Sequence, residues 1–152
     1  APDHKLSFPF IIRRTLGLWK LLYLNPEMVV SVPDDNAVLN RGRYLVEALG
    51  HCAACHTPRN LIGGPKNSTW LAGGPSPEGD ATIPNITPHS SGIGDWSAED
   101  IASSLETGFT PEFDSFGSSM VDVQANMARL TAQDRDAIAA YLKHIPAVAS
   151  KK

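Results

Sequence analysis

Apolar and polar positions outline three helices in this chain before any chemistry is considered. Residues 36–50, NAVLNRGRYLVEALG, follow a turn-like PDDN and place Val38, Gly42, Leu45, Val46 and Leu49 on one side of a helix entered through Asn36 and stopped by Gly50. A second, within WSAEDIASSLETG, starts at Ser97, followed three residues later by Asp100 in a capping box with Asp in place of Glu, and ends at Gly108. The third, LTAQDRDAIAAYLKHIP, repeats the device with Thr131 and Asp134. It sets Ile138, Tyr141, Leu142 and Ile145 at helical spacing and stops before Pro146. Gly42 lowers helix propensity by about 1 kcal/mol relative to Ala, which points to another helix crossing closely there; the alternative is a tolerated surface glycine. No strand-like alternation or internal repeat is evident, so the fold class expected is all-α.

Between the first two helices the pattern dissolves. Thr57 to Asp95 holds 13 of the chain's 24 glycines and prolines, in stretches such as LIGGPK and LAGGPSPEG. An irregular wrap of that length inside one domain needs something to pack on. At the other end, LSFPFIIRRTLGLWKLLYL (Leu6 to Leu24) is apolar but broken by Pro9, Arg13, Arg14 and Lys20. It reads as amphipathic surface-docking material and not as a membrane span. Its large apolar side chains must be covered by the domain itself, by a partner subunit or by a membrane surface. The expected organisation is an amphipathic extension over residues 1–35, a domain over 36–148 and a tail over 149–152.

Composition changes this picture little. At 152 residues and 42% hydrophobic content the chain amounts to one globular domain plus the extension. The formal charge of −3 and the lack of a basic stripe exclude a nucleic-acid binder. A start at Ala1 without methionine suits a mature exported protein whose signal peptide has been removed.

The chemistry lies in CAACH, residues 52–56, which holds both cysteines of the chain with a histidine directly after the second. On a helix, positions i, i+3 and i+4 share a face, so Cys52, Cys55 and His56 would address one object. A structural zinc site would want a second ligand pair, and a thioredoxin-like redox pair would want a βαβ context; neither is present. A disulfide across so short a loop gains little. C-x-x-C-H is the attachment signature of c-type haem, with two thioethers and an imidazole on the iron. One covalent haem c is therefore expected, with His56 as one axial metal ligand, and it would be the surface on which the 57–95 loops pack. For the second ligand, Met120 in the Gly/Ser-rich DSFGSSMVDV, taken as a loop between two helices, is favoured over Met127, which lies just before the last helix where a packing methionine is expected. His51 is tied to the same side of the ring as His56. Arg59, by charge, and Trp96, by its indole N–H, are candidates for propionate contacts; each could equally be a solvated loop residue or a packing aromatic.

The order helix, C-x-x-C-H, long loops, methionine segment and C-terminal aromatic helix resembles class I cytochrome c over residues 36–146. More narrowly, RGRYLVEALGHCAACHTPRN, PNIT, GIGDWSAEDIASSLETGFTPEFDSFGSSM and LTAQDRDAIAAYL resemble the cytochrome c subunits of bacterial periplasmic and membrane-associated dehydrogenases acting on alcohol, gluconate or fructose. The resemblance implies the class I cytochrome c fold, with thioethers at Cys52 and Cys55, axial ligands His56 and Met120, and a backbone carbonyl from Pro84 or a neighbour holding the His56 ring. It also implies a periplasmic carrier of single electrons, without enzyme activity of its own. The donor would be a dehydrogenase and the acceptor a respiratory-chain cytochrome or terminal oxidase, with peripheral membrane association open. The alternative is a haem enzyme, a peroxidase or sulfur-oxidising catalyst with a labile sixth ligand. Those subunits often carry three haem domains, whereas this chain has a single C-x-x-C-H. The extension is similar to the segment preceding an internal haem domain in them, which favours packing within the chain or against a dehydrogenase over lipid.

Overall fold

The structure, a computed structural model, describes residues 8, 11–25, 27–76 and 81–150. The amphipathic extension forms helix α1 (Thr15–Tyr23), whose start is tied by the Thr15 hydroxyl to the Ile12 carbonyl at 2.6 Å. Helix α2 (Ala37–Arg43) begins as its sequence indicates, the Asn36 side chain accepting from the Leu39 N–H at 3.0 Å. It does not run on to Gly50 as a regular helix. From Tyr44 to Leu49 the chain widens into a π-helical turn, sealed by Gly50 N–H to Leu45 O (2.7 Å) and Cys52 N–H to Val46 O (3.0 Å). His51 then takes a positive φ of 35° and the chain turns into α3 (Ala53–His56).

Among its described residues the breaker-rich region is loop with two small ordered pieces, a 3-10 turn at Asn67–Thr69 and an antiparallel pair, β1 (Gly74–Pro75) and β2 (Thr82–Ile83). Two residues per strand are too few for an alternating pattern to register, which is why sequence periodicity shows no strand there. The helical class is unaffected. Helix α4 (Ala98–Thr107) has the full reciprocal capping box of Ser97 and Asp100. Helix α5 (Met120–Met127) falls where a loop was expected, because its short apolar face is interrupted by Asp122, Gln124 and Asn126. Helix α6 (Ala132–His144) closes the chain's helical part, with Thr131 accepting from the Asp134 N–H at 3.2 Å. The Asp134 carboxylate does not complete a box; it pairs with Arg41 of α2, Oδ1 to Nε at 2.7 Å.

Helix α6 crosses both α2 and α4. Its residues Ile138, Tyr141 and Leu142, with Ile145 just beyond, are buried together with Leu45, Val46 and Ile101, as their spacing indicates. The α2–α6 crossing is close at Gly42, which is buried; a Cβ there would overlap the Ala137 carbonyl and the Tyr141 Cβ. The Tyr141 hydroxyl donates to Glu47 on the π-helical turn, so the last helix grips the segment that leads into CAACH. The core also takes Val30 and Val32 from the stretch assigned to the extension. At the other end, Val148 O accepts from Asn85 and Thr87, and Ser150 bonds Ala72 O and Ser91, carrying the bonded structure two residues past 148. Among the described residues no helix is long and apolar enough to cross a membrane.

Candidate functional site

The CAACH turn is α3 itself, one helical turn held by His56 N–H to Cys52 O at 2.9 Å. Cys52 is half-buried against the core and Cys55 is exposed; both thiols are free, which removes the disulfide reading. Burial pushes the Cys52 thiol up to about 11, the mark of an apolar surround. His56 is buried, and its Nδ1 lies 2.8 Å from the Pro84 carbonyl. A carbonyl oxygen only accepts, so Nδ1 carries the proton and the lone pair of the neutral ring sits on Nε2. Burial lowers the imidazole's pKa and the bond to Pro84 opposes that shift in part, so neutral imidazole, the form that binds metals, is favoured. The resemblance implied a carbonyl from Pro84 or a neighbour beside His56; in the structure the Pro84 carbonyl, 28 positions along the chain, lies there.

The remaining residues singled out by sequence fall in different settings. Arg59 donates from Nη1 to Gly63 O (2.8 Å) and from Nη2 to Ala54 O (3.2 Å), so its guanidinium braces the loop against the backbone of the motif. Trp96 is half-buried against the core, its carbonyl accepting from Lys143 Nζ at 2.8 Å. Met120 is half-buried at the first position of α5, after a loop that includes the positive φ of Ser118 (53°). The segment is thus a helix start and not the loop that its Gly/Ser content suggested. Met127, at the other end of α5, packs against the core, the role its position implied.

One residue escaped sequence reasoning. The Trp70 indole Nε1 is buried and has no hydrogen-bond partner among the described residues. A buried N–H left unpaired costs about 1–3 kcal/mol, so the Trp70 N–H stands out as a donor open to a bound group. The neighbouring Leu71 N–H bonds the Thr57 hydroxyl (3.0 Å), and Gly73 N–H bonds His56 O (2.7 Å), so Trp70 belongs to the loop wrapped on the motif. The available signal was an indole in STWLAGG, a large amphipathic ring in a breaker-rich loop. Two free thiols, a metal-ready Nε2 and an unpaired indole N–H on adjoining segments fit a covalently attached haem with acidic edge groups.

Residues 39–146 match the family model for cytochrome c. The chain belongs to the cytochrome c family. Membership makes it an electron-transfer domain of mostly helical build and implies covalent haem c. It is 55% identical over 148 residues to the diheme cytochrome c-type protein of Cereibacter sphaeroides, covering 95% of this chain and 48% of that one. Against the fructose dehydrogenase cytochrome subunit of Gluconobacter japonicus it is 40% identical over 151 residues, 98% of this chain and 31% of the relative. For the gluconate 2-dehydrogenase cytochrome c subunit of Pantoea cypripedii the figures are 33% over 154 residues, 95% and 35%. This cytochrome c chain therefore spans about half the length, or less, of these curated relatives, and its extension is included in the similarity.

Proposed function

We propose that this cytochrome c carries one haem c and passes single electrons from a dehydrogenase to a later cytochrome or terminal oxidase of a bacterial respiratory chain, on the periplasmic side. The relatives named as cytochrome subunits of fructose and gluconate dehydrogenases support the donor class. The single CAACH in these 152 residues supports the count of one. Thioether attachment is made outside the cytoplasm, which supports the location.

When bound, haem c supplies a one-electron iron couple. Cys52 and Cys55 would hold it through thioethers, while His56 Nε2 and the Met120 thioether would hold its iron. The Pro84 carbonyl keeps the imidazole oriented and raises its basicity. The Trp70 N–H would donate to an acidic edge oxygen. With two of its own side chains holding the iron, the chain would leave substrate chemistry to the donor, and its task would be to hold, shield and tune the group. The observation that supports this reading is the buried His56 ring held through Nδ1 to Pro84 O at 2.8 Å, which leaves the Nε2 lone pair available to a metal.

Haem staining after denaturing electrophoresis tests it. Wild-type protein and the single variants Cys52→Ser and Cys55→Ser should keep covalent haem, and the double variant should lose it. Release of haem from denatured wild-type protein would contradict the reading.

A further inference from the structure

Helix α1 touches the domain along one narrow side. Trp19 and Tyr23, one turn apart with ring centroids 5.2 Å apart, both face inward. Trp19 Nε1 donates to Ile62 O at 3.0 Å, Asn60 Nδ2 donates to the Tyr23 hydroxyl at 2.9 Å, and the Tyr23 ring lies so close over Gly64 that a Cβ there would collide with it. These contacts leave the rest of the extension uncovered, so of the three covers open to its apolar side chains (the domain, a partner subunit or a membrane surface) the domain supplies little. No residue of α1 is buried, and Leu21 is 81% exposed, Leu22 61% and Leu18 60%. Ile11, Ile12, Leu16 and Leu24 are exposed as well, and the clamped loop adds Leu61 and Ile62. Patches of this extent on a soluble surface mark a contact site.

Charge indicates what makes that contact. Between Asp3 and Glu27 the sequence has four cations, Lys5, Arg13, Arg14 and Lys20, and no carboxylate. The rest of the chain has nine Lys and Arg against sixteen Asp and Glu. Arg13, Arg14 and Lys20 are exposed, and none is paired within the described residues. A leucine ridge free of hydrogen-bonding side chains, flanked only by cations on an otherwise acidic molecule, is complementary to a layer with an apolar interior and anionic headgroups. We infer that the extension is a peripheral anchor that seats this cytochrome c on an anionic lipid surface. Because α1 clamps residues 60–64, which follow CAACH within a few residues, docking fixes that edge of the domain relative to the membrane, while the acidic remainder is repelled from it.

Flotation of the haem-loaded protein with vesicles tests this without reference to electron transfer, so its failure and that of the proposed function are separable. The protein should float with phosphatidylcholine vesicles containing phosphatidylglycerol, less so as salt rises, and poorly with phosphatidylcholine alone. Arg13→Gln with Arg14→Gln should weaken binding about thirtyfold, from roughly fivefold per charge near such a surface. Leu18→Gln with Leu21→Gln should abolish flotation while leaving the haem spectrum unchanged, since neither side chain touches the core. Three results would overturn the inference. They are absence of binding to either vesicle, binding that ignores both charge and salt, and dimerisation in light scattering that the leucine variant removes, which would assign the face to a second copy.

Discussion

A thioether that binds iron and one that packs in a core respond differently to truncation. Met120→Ala should abolish the sulfur-to-iron charge-transfer band of the oxidised protein and lower the potential, because the thioether favours ferrous iron. Met127→Ala should leave band and potential in place and cost about 1–2 kcal/mol in denaturant unfolding, below the ~2–5 kcal/mol of a fully buried methionine because Met127 is only half-buried. Loss of the band in the Met127 variant with its survival in the Met120 variant would reverse the ligand assignment. Trp70→Phe keeps the ring and deletes the N–H. If that N–H bonds a charged edge group, the haem-loaded variant should lose roughly 1.5–3 kcal/mol of stability and change its potential; if neither moves, the indole has no such partner. Single side chains were legible where the chemistry is local: Cys52, Cys55 and His56 are adjacent in sequence and fall on one turn. Trp70 was not, because an unpaired N–H is a property of its surroundings and sequence does not encode surroundings position by position.

Helices in this fold are placed by caps and crossings more than by propensity. Gly42→Ala would gain about 1 kcal/mol of intrinsic helix preference, yet its methyl would enter space held by the Ala137 carbonyl and Tyr141 Cβ. The backbone there cannot yield cheaply, so overpacking at ~1–3 kcal/mol or more should win and the variant should melt lower than wild type. Asp134 links α6 to α2, and its hydrogen bond to Arg41 holds its carboxyl below the usual carboxylate range. A depressed folded pKa contributes stability at neutral pH, and that contribution is lost as pH falls through the folded value, on the acid side of the ordinary carboxylate range. Thermal melts of wild type and Asp134→Asn should differ near pH 7 and converge in acid; a gap that stays constant with pH would show that the pair is inert. The caps at Asn36, Ser97 and Thr131 were legible because capping is a contact between neighbours along the chain. The π-helical turn and α5 were not. The first keeps a helical pattern while adding a residue, and the second has too little apolar periodicity over eight residues to stand out from the Gly/Ser-rich stretch before it.

Across the whole molecule, the loops from Thr57 to Asp95 join the two ends of the helical frame. Pro84 reaches back to His56, and Asn85 and Thr87 hold Val148, so the same short segment orients the imidazole and ties down the C-terminal end of the chain. Helix α6 grips the approach to CAACH through Tyr141 and Glu47 and closes over α2 at Gly42. This frame leaves α1 as an outrigger on the 60–64 loop, joined to the site by the clamp that follows the motif. Sequence pattern alone indicated that the extension is amphipathic, but which side faces inward depends on Trp19 and Tyr23 finding Ile62 and Asn60, partners some forty residues away. The central claim is that the chain carries one haem c with both axial ligands of its own and shuttles one electron at a time. A potentiometric titration of the purified protein followed by its visible spectrum tests that claim most directly. One wave with one-electron slope, low-spin at both ends, is the result expected; two waves, or a high-spin oxidised state with an open sixth position, would contradict it.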